Sequence, residues 1–265
     1  MYDRTDLAVE ILVRRPRSDV VNDPHVESLT YRLRETDSLA FEAPPIEFET
    51  AAFRARLADN VLTLRPKEHF ASEEDVRAIA DEFVRAWEID AGLGYGRPDF
   101  RFQYDGAQLV DRAPSPGHHM IASKGVLHLS GSAHLKVTRA KYPIPSEQFV
   151  ATPEVQVLWE RYSRYLAGKE PLLAMAYFGL TLLERGDRRR AARDFRIDVE
   201  VLRKLGELTS TRGDGLTARK MSTGVVPLTG PESQWVEATI KAIIRHIATL
   251  NSGASLSLAD LPPLP

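Results

Sequence analysis

Residues 142–153, YPIPSEQFVATP, divide this chain. Pro143, Pro145 and Pro153 each lack a backbone donor and disfavour helix in the residue before them, so the stretch reads as a linker. Upstream of it, short apolar runs are broken by turn residues, the pattern of strands. Downstream, apolar residues recur at helical spacing. The sequence therefore predicts an α+β chain. Residues 1–148 are expected to form an antiparallel-sheet domain, residues 149–250 an all-α bundle, and residues 251–265, NSGASLSLADLPPLP, a flexible tail.

Working outward on the upstream side, strands are expected at Leu7–Val13, Val26–Leu33, Ile46–Glu49 and Val61–Leu64. A helix follows them. Ser72 is a suitable N-cap, Asp75 stands three residues later, and Val76, Ile79, Phe83, Val84 and Trp87 make an apolar stripe. Gly92, Gly94 and Gly96 are expected to end it. Two hairpins come next. In FRFQYDGAQLVDR (residues 100–112), Asp105-Gly106 is a type I′ turn signal between alternating runs. In GVLHLSGSAHLKV (residues 125–137), a loop at Ser130-Gly131-Ser132 aligns Leu127 with Leu135 and places His128 and His134 together on the polar face.

On the downstream side, a helix is expected over Pro153–Ala167 with Val157, Leu158, Tyr162, Tyr165 and Leu166 inward. Leu172–Leu183 is apolar all round, as a central bundle helix should be. Shorter helices are expected at Asp187–Phe195 and Asp198–Leu208. The last, Gly230–Leu250, carries Trp235, Ile240, Ile243, Ile244 and Ile247 on one stripe, with Pro231 in its first turn and Thr229 or Gly230 as cap.

Composition narrows the chemistry. The 265 residues contain no cysteine, which excludes disulfides, thiolate metal sites and a cysteine nucleophile. A net charge of −2 supplies no global attraction to nucleic acid or membrane. It is unevenly placed: residues 1–150 carry 19 Lys+Arg against 24 Asp+Glu, and residues 151–265 carry 16 against 13. The longest apolar run, PLLAMAYFGLTLL, has 13 residues, short of the roughly 20 that a membrane-spanning helix needs. With charges scattered through the first residues, a cytoplasmic protein without a membrane partner is expected.

Three groups of side chains are candidates for function. Arg112 precedes His118 and His119 in DRAPSPGHHM, by itself a proline-rich connector whose spacing gains meaning only from a family resemblance. His128 and His134 are candidate metal ligands, since neutral imidazole binds zinc. Arg203, Lys204, Arg212, Arg219 and Lys220 surround the loop GELTSTRGDGLTARK and suit phosphate, because guanidinium forks match its oxygens. Arg185, Arg188, Arg189, Arg190, Arg193 and Arg196 add to that basic character. The loop is not a nucleotide-binding P-loop, and Gly92-x-Gly94-x-Gly96 follows a helix where a dinucleotide fingerprint follows a strand. No cofactor is expected.

The stretches AMAYFGLTLLE, IDVEVLRKLGEL, TRGDGLTARK and PLTGPESQWVEATIKAIIRH resemble, in helix order, HEPN-type helical domains of uncharacterised bacterial proteins, over residues 155–250. That resemblance implies a helical bundle, self-association as a dimer, and in active members a metal-independent ribonuclease built on an arginine and a following histidine with four to six residues between them. The helical half has one histidine, His246, and Lys241 stands at the nearest matching position. Only Arg112 with His118 or His119 fits the spacing, outside the helical half. The expectation is therefore a non-catalytic module that binds RNA or a protein partner, in a stress or phage-defence setting that the resemblance alone implies. A ribonuclease using Arg112 with His118 or His119, and a metal-binding protein using His128 and His134, are the alternatives.

Overall fold

The computed structural model describes residues 22–34, 39–112, 137–213 and 226–264. The strand expected at Leu7–Val13 and nearly all of the hairpin expected over 125–137 lie outside these residues. The fold is α+β. Strands β1 (Pro24–Leu33), β3 (Ile46–Glu49), β4 (Phe53–Ala58), β5 (Val61–Pro66) and β6 (Phe102–Asp111) form an antiparallel sheet in the order β3-β4-β5-β1-β6. Strands β2 (Leu39–Phe41) and β7 (Val137–Arg139) pair in parallel beside it. The helices are α1 (Glu73–Tyr95), α2 (Pro153–Leu166), α3 (Leu172–Glu184), α4 (Arg188–Asp194), α5 (Val199–Thr211) and α6 (Gly230–Ala248). Among the described residues no helix is long and apolar enough to cross a membrane.

The turn chemistry is displaced from where the sequence suggested it. Asp105-Gly106 makes no hairpin. It lies inside β6, which runs unbroken along the ten residues of β1. Tyr104 pairs with Tyr31 and Gly106 with Thr30, so Asp105 is the extra residue of a bulge, and Gly106 takes a φ of 137° that a side chain resists. The long partner strand outweighs the local turn preference, and Asp105 bonds Arg32 of β1 at 2.9 Å. The two-residue turn is instead Asp59-Asn60, both at positive φ (51° and 62°), joining β4 to β5.

Helix α1 holds the two halves together. Ser72 caps it by accepting from the Glu74 amide, three acidic residues in its first turn suit the dipole, and Gly96 ends it in the left-handed region. Gly92 and Gly94, expected to stop it, lie inside it. Val76, Ala80, Val84, Trp87 and Ala91 face the sheet core, while Ala86, Ile89 and Leu93 join the bundle core. The inward stripe is therefore turned from the expected one, and Ile79 is exposed. Buried Glu88 fastens α1 to the start of β6. It accepts from the Phe102 amide at 2.7 Å and from Arg101 at 2.9 Å. Burial pushes its carboxyl up to about 7, against the opposing pull of Phe102 and Arg85.

In the helical half, α3 packs on α2, α4, α5 and α6, the central place its composition predicts. Gly179 lets α2 and α6 approach it, since a methyl there would meet Leu158 at 3.1 Å and Ile240 at 3.5 Å. On α2 the core residues are Val155, Leu158, Trp159 and Tyr162; Val157 is exposed, because a stripe through Trp159 buries far more surface. The α6 stripe is buried throughout, behind a capping box of Thr229 and Glu232. Residues 251–264, expected to be a flexible tail, pack onto the bundle. Leu256 bonds across to Asp198 and Arg196, and Leu256 and Leu261 are buried in the bundle core. Apolar side chains two to five residues apart in a polar stretch supply the anchor.

Candidate functional site

Of the basic set of the helical half, Arg203, Lys204 and Arg212 each stand beside a carboxylate. Arg203 on α5 contacts Glu200 at 2.7 Å, Lys204 contacts Glu207 at 3.3 Å, and Arg212 contacts Glu232 at 2.9 Å. The bond from Arg212, together with the Thr229 amide, draws Glu232 down to about 2. Arg185, at the end of α3, pairs with Glu154, and on α4 Arg188 pairs with Glu184 and Arg190 with Asp194. Arg219 and Lys220 lie outside the described residues. His246 has a structural position, its Nε2 standing 2.8 Å from the Phe195 carbonyl oxygen at the end of α4.

Arg112 meets different histidines from those its sequence spacing suggested. His118, His119, His128 and His134 all lie outside the described residues. The Arg112 amide bonds the Asp23 carbonyl at 2.9 Å, which sets it beside His25 at the start of β1. His25 is buried, stacks on His69 with ring centroids 5.0 Å apart, and leaves Nδ1 without a hydrogen-bond partner among the described residues. Half-exposed His69 approaches Asp23 Oδ1 at 3.5 Å. Burial, then the charges of Arg112 and His69, holds His25 below its ordinary value. Among the described residues, no three His, Cys, Asp or Glu side chains gather to hold a metal.

The outer face of the sheet carries a second set of cations, of which Arg54 and Arg56 reach their carboxylates only at 3.6 Å. Helix α1 covers one face, onto which Leu29, Tyr31, Ala55, Leu57, Leu62 and Leu64 project. Alternation sends Thr30, Arg32, Arg54, Arg56, Thr63 and Arg65 to the other. The register puts Arg54 directly opposite Arg65, with Glu49 on the far side of Arg54. In the next row Glu47, Arg56, Thr63 and Thr30 lie side by side. Two like charges directly opposite cost roughly 0.2–1 kcal/mol in a sheet, and little relieves them. Glu49 is held by Lys67 at 2.8 Å and reaches Arg54 only at 3.6 Å. Arg65 has no ion pair among the described residues. The side chains of Arg54, Arg56 and Arg32 are 74%, 60% and 63% exposed.

This face was hidden in the sequence because β4, FRARLA, was not recognised as a strand. Once β4 and β5 are paired across Asp59-Asn60, strand alternation alone places the arginines on one surface.

The chain matches no protein-family model, no curated protein and no solved structure.

Proposed function

We propose that the chain is a non-catalytic RNA-binding module that holds the phosphate chain on the outer face of its sheet. The observation that carries this is the opposition of Arg54 and Arg65, two exposed guanidinium groups, the first reaching Glu49 only at 3.6 Å and the second with no ion pair among the described residues. Arg56 lies two residues along β4, and Arg32 two strands away on β1. Guanidinium forks match phosphate oxygens, and phosphate contacts supply most of the affinity of sequence-independent binding. The resemblance of the helical half to HEPN-type domains without their catalytic spacing agrees with binding in the absence of cleavage.

The test is an anisotropy titration of labelled single-stranded RNA at about 50 mM and about 200 mM salt, with a gel of the same samples. Binding that weakens with salt, is lost in Arg54→Glu/Arg65→Glu, persists in Arg203→Glu and leaves the RNA intact is expected. Absence of binding at either salt sinks the proposal. Shortened RNA that survives in His118→Ala/His119→Ala but not in His69→Ala would move the chain to a ribonuclease of a different site.

A second reading is favoured by α3. Ala174 and Thr181 are exposed and Phe178 is half-buried on one side of this very apolar helix, next to exposed Val157 of α2. The Arg161 guanidinium covers the Phe178 ring at 4.0 Å. Such a stripe suits a protein partner, including a second copy of the chain. Light scattering at high concentration reports a dimer on this reading and a monomer against it.

A further inference from the structure

A cavity of about 360 Å³ opens between α5, the first turns of α6 and the closing segment. It shares no residue with the sheet face. We infer that it binds a small carboxylic acid with an apolar body. The volume lies within the range of small-molecule sites.

Its lining divides by chemistry. Trp235, Leu258 and Leu264 give it an apolar side, extended by Pro262 and Pro263. Trp235, 1% exposed, backs the cavity from within the core, and Leu258 is a large apolar residue left exposed. The facing side carries Arg203 and Lys204, with Glu200 as the one carboxylate. Glu207, just outside the lining, is the second carboxylate beside these cations, so their charges are balanced and what the cavity offers is donors.

Those cations retain donors. Arg203 directs Nε and one terminal nitrogen to a single oxygen of Glu200, each at 2.7 Å. Its other terminal nitrogen is 3.8 Å from Glu207. Lys204 stands 3.3 Å from both oxygens of Glu207, a loose contact for an ammonium. These pairs are solvent-exposed and yield readily to a carboxylate brought in by its apolar part. A bare phosphate would use the cations and leave the Trp235–Leu258–Leu264 wall uncovered. A neutral apolar molecule would leave the remaining donors of Arg203 and Lys204 unused. An aromatic or branched aliphatic body carrying one carboxylate answers both.

The full chain should be titrated with phenylacetate, with phenethylamine (the same body, opposite charge) and with acetate (the head without the body), by calorimetry and tryptophan fluorescence. Phenylacetate is expected to saturate with a millimolar Kd, and phenethylamine and acetate to bind at least about tenfold more weakly. Lys204→Glu should weaken phenylacetate about tenfold and Leu258→Ser several-fold, with circular dichroism unchanged. Failure of phenylacetate to saturate, equal binding of all three probes, or an unchanged Kd in Lys204→Glu would each overturn the inference.

Discussion

Gly92 of α1 lies against the indole of Trp159 on α2: a methyl on Gly92 would stand 2.4 Å from Cη2 of that ring and 2.5 Å from Cζ2. This glycine is inside a helix, where alanine would ordinarily gain about 1 kcal/mol. The contact reverses the sign. Trp159 is fully buried and wedged among core side chains, so it cannot swing aside. Overpacking a rigid core costs about 1–3 kcal/mol or more. Gly92→Ala should therefore lower the melting temperature by several degrees, at about 2–4 °C per kcal/mol. A rise in melting temperature would show that α1 and α2 are not in register as described.

Leu256 ties the closing segment to the bundle. Its amide and carbonyl bond Arg196 and Asp198 at 3.0 and 2.8 Å, and its side chain is 6% exposed. Leu256→Ala should cost about 2–4 kcal/mol, the usual range for a buried leucine. A flexible tail would register under about 0.5 kcal/mol. Urea denaturation of the two proteins separates these outcomes.

The capping box of α6 joins Thr229, Glu232 and Arg212, and it predicts an acid-sensitive joint. Glu232 receives the Arg212 guanidinium at 2.9 Å and the Thr229 amide at 2.8 Å, which together hold it near 2 in place of 4.5. A carboxyl depressed by folding stabilises fully above its unfolded value, and that stability is lost as pH falls through the folded one. The contribution should fade between about pH 4.5 and about pH 2. Glu232→Gln should flatten the melting-temperature profile over that interval. A slope identical to that of the unsubstituted protein would mean that Arg212 does not reach Glu232 in solution.

How far the sequence could be read follows from how local each feature is. Helices α1, α5 and α6 announce themselves through Ser72, Asp198 and Thr229, whose side chains bond amides two or three residues away. The partners of Arg203 and Lys204 were visible too, since Glu200 and Glu207 stand three or four residues from them on one helix. Arg212 with Glu232, 20 positions apart, needed the fold. Strand β4 was missed because small and basic residues dilute its alternation, with only Phe53, Ala55 and Leu57 turned inward. Asp105-Gly106 was misread because its competitor, ten residues of β1, lies more than 70 positions earlier. The Arg54–Arg65 pair and the His25–His69 stack depend on pairing across the sheet, which no single stretch of sequence displays.

The His25–His69 stack carries the last prediction, a loss of stability just below neutral pH. His25 is buried, its Nδ1 has no partner among the described residues, and Arg112 and His69 oppose its protonation, while Glu27 and Asp23 favour it. Burial leads, so its folded value lies below the ordinary 6.5. The unfolded chain then binds a proton that the folded chain refuses, and stability falls as pH drops below 6.5 toward the depressed value. This loss begins at 6.5, above the 4.5 at which the Glu232 contribution starts to fade. The measurement compares denaturant midpoints at about pH 7.5 and about pH 5.5 in the native protein and in a variant. In His25→Phe, which keeps a ring against His69 and removes the titrating group, the midpoint at about pH 5.5 should rise relative to that at about pH 7.5, because buried Glu88, raised to about 7, takes up its proton in the folded chain over the same interval and opposes His25 in the native protein. An equal difference between the two midpoints in both proteins would place the acid-sensitive group elsewhere and show that His25 is protonated without penalty at the end of β1.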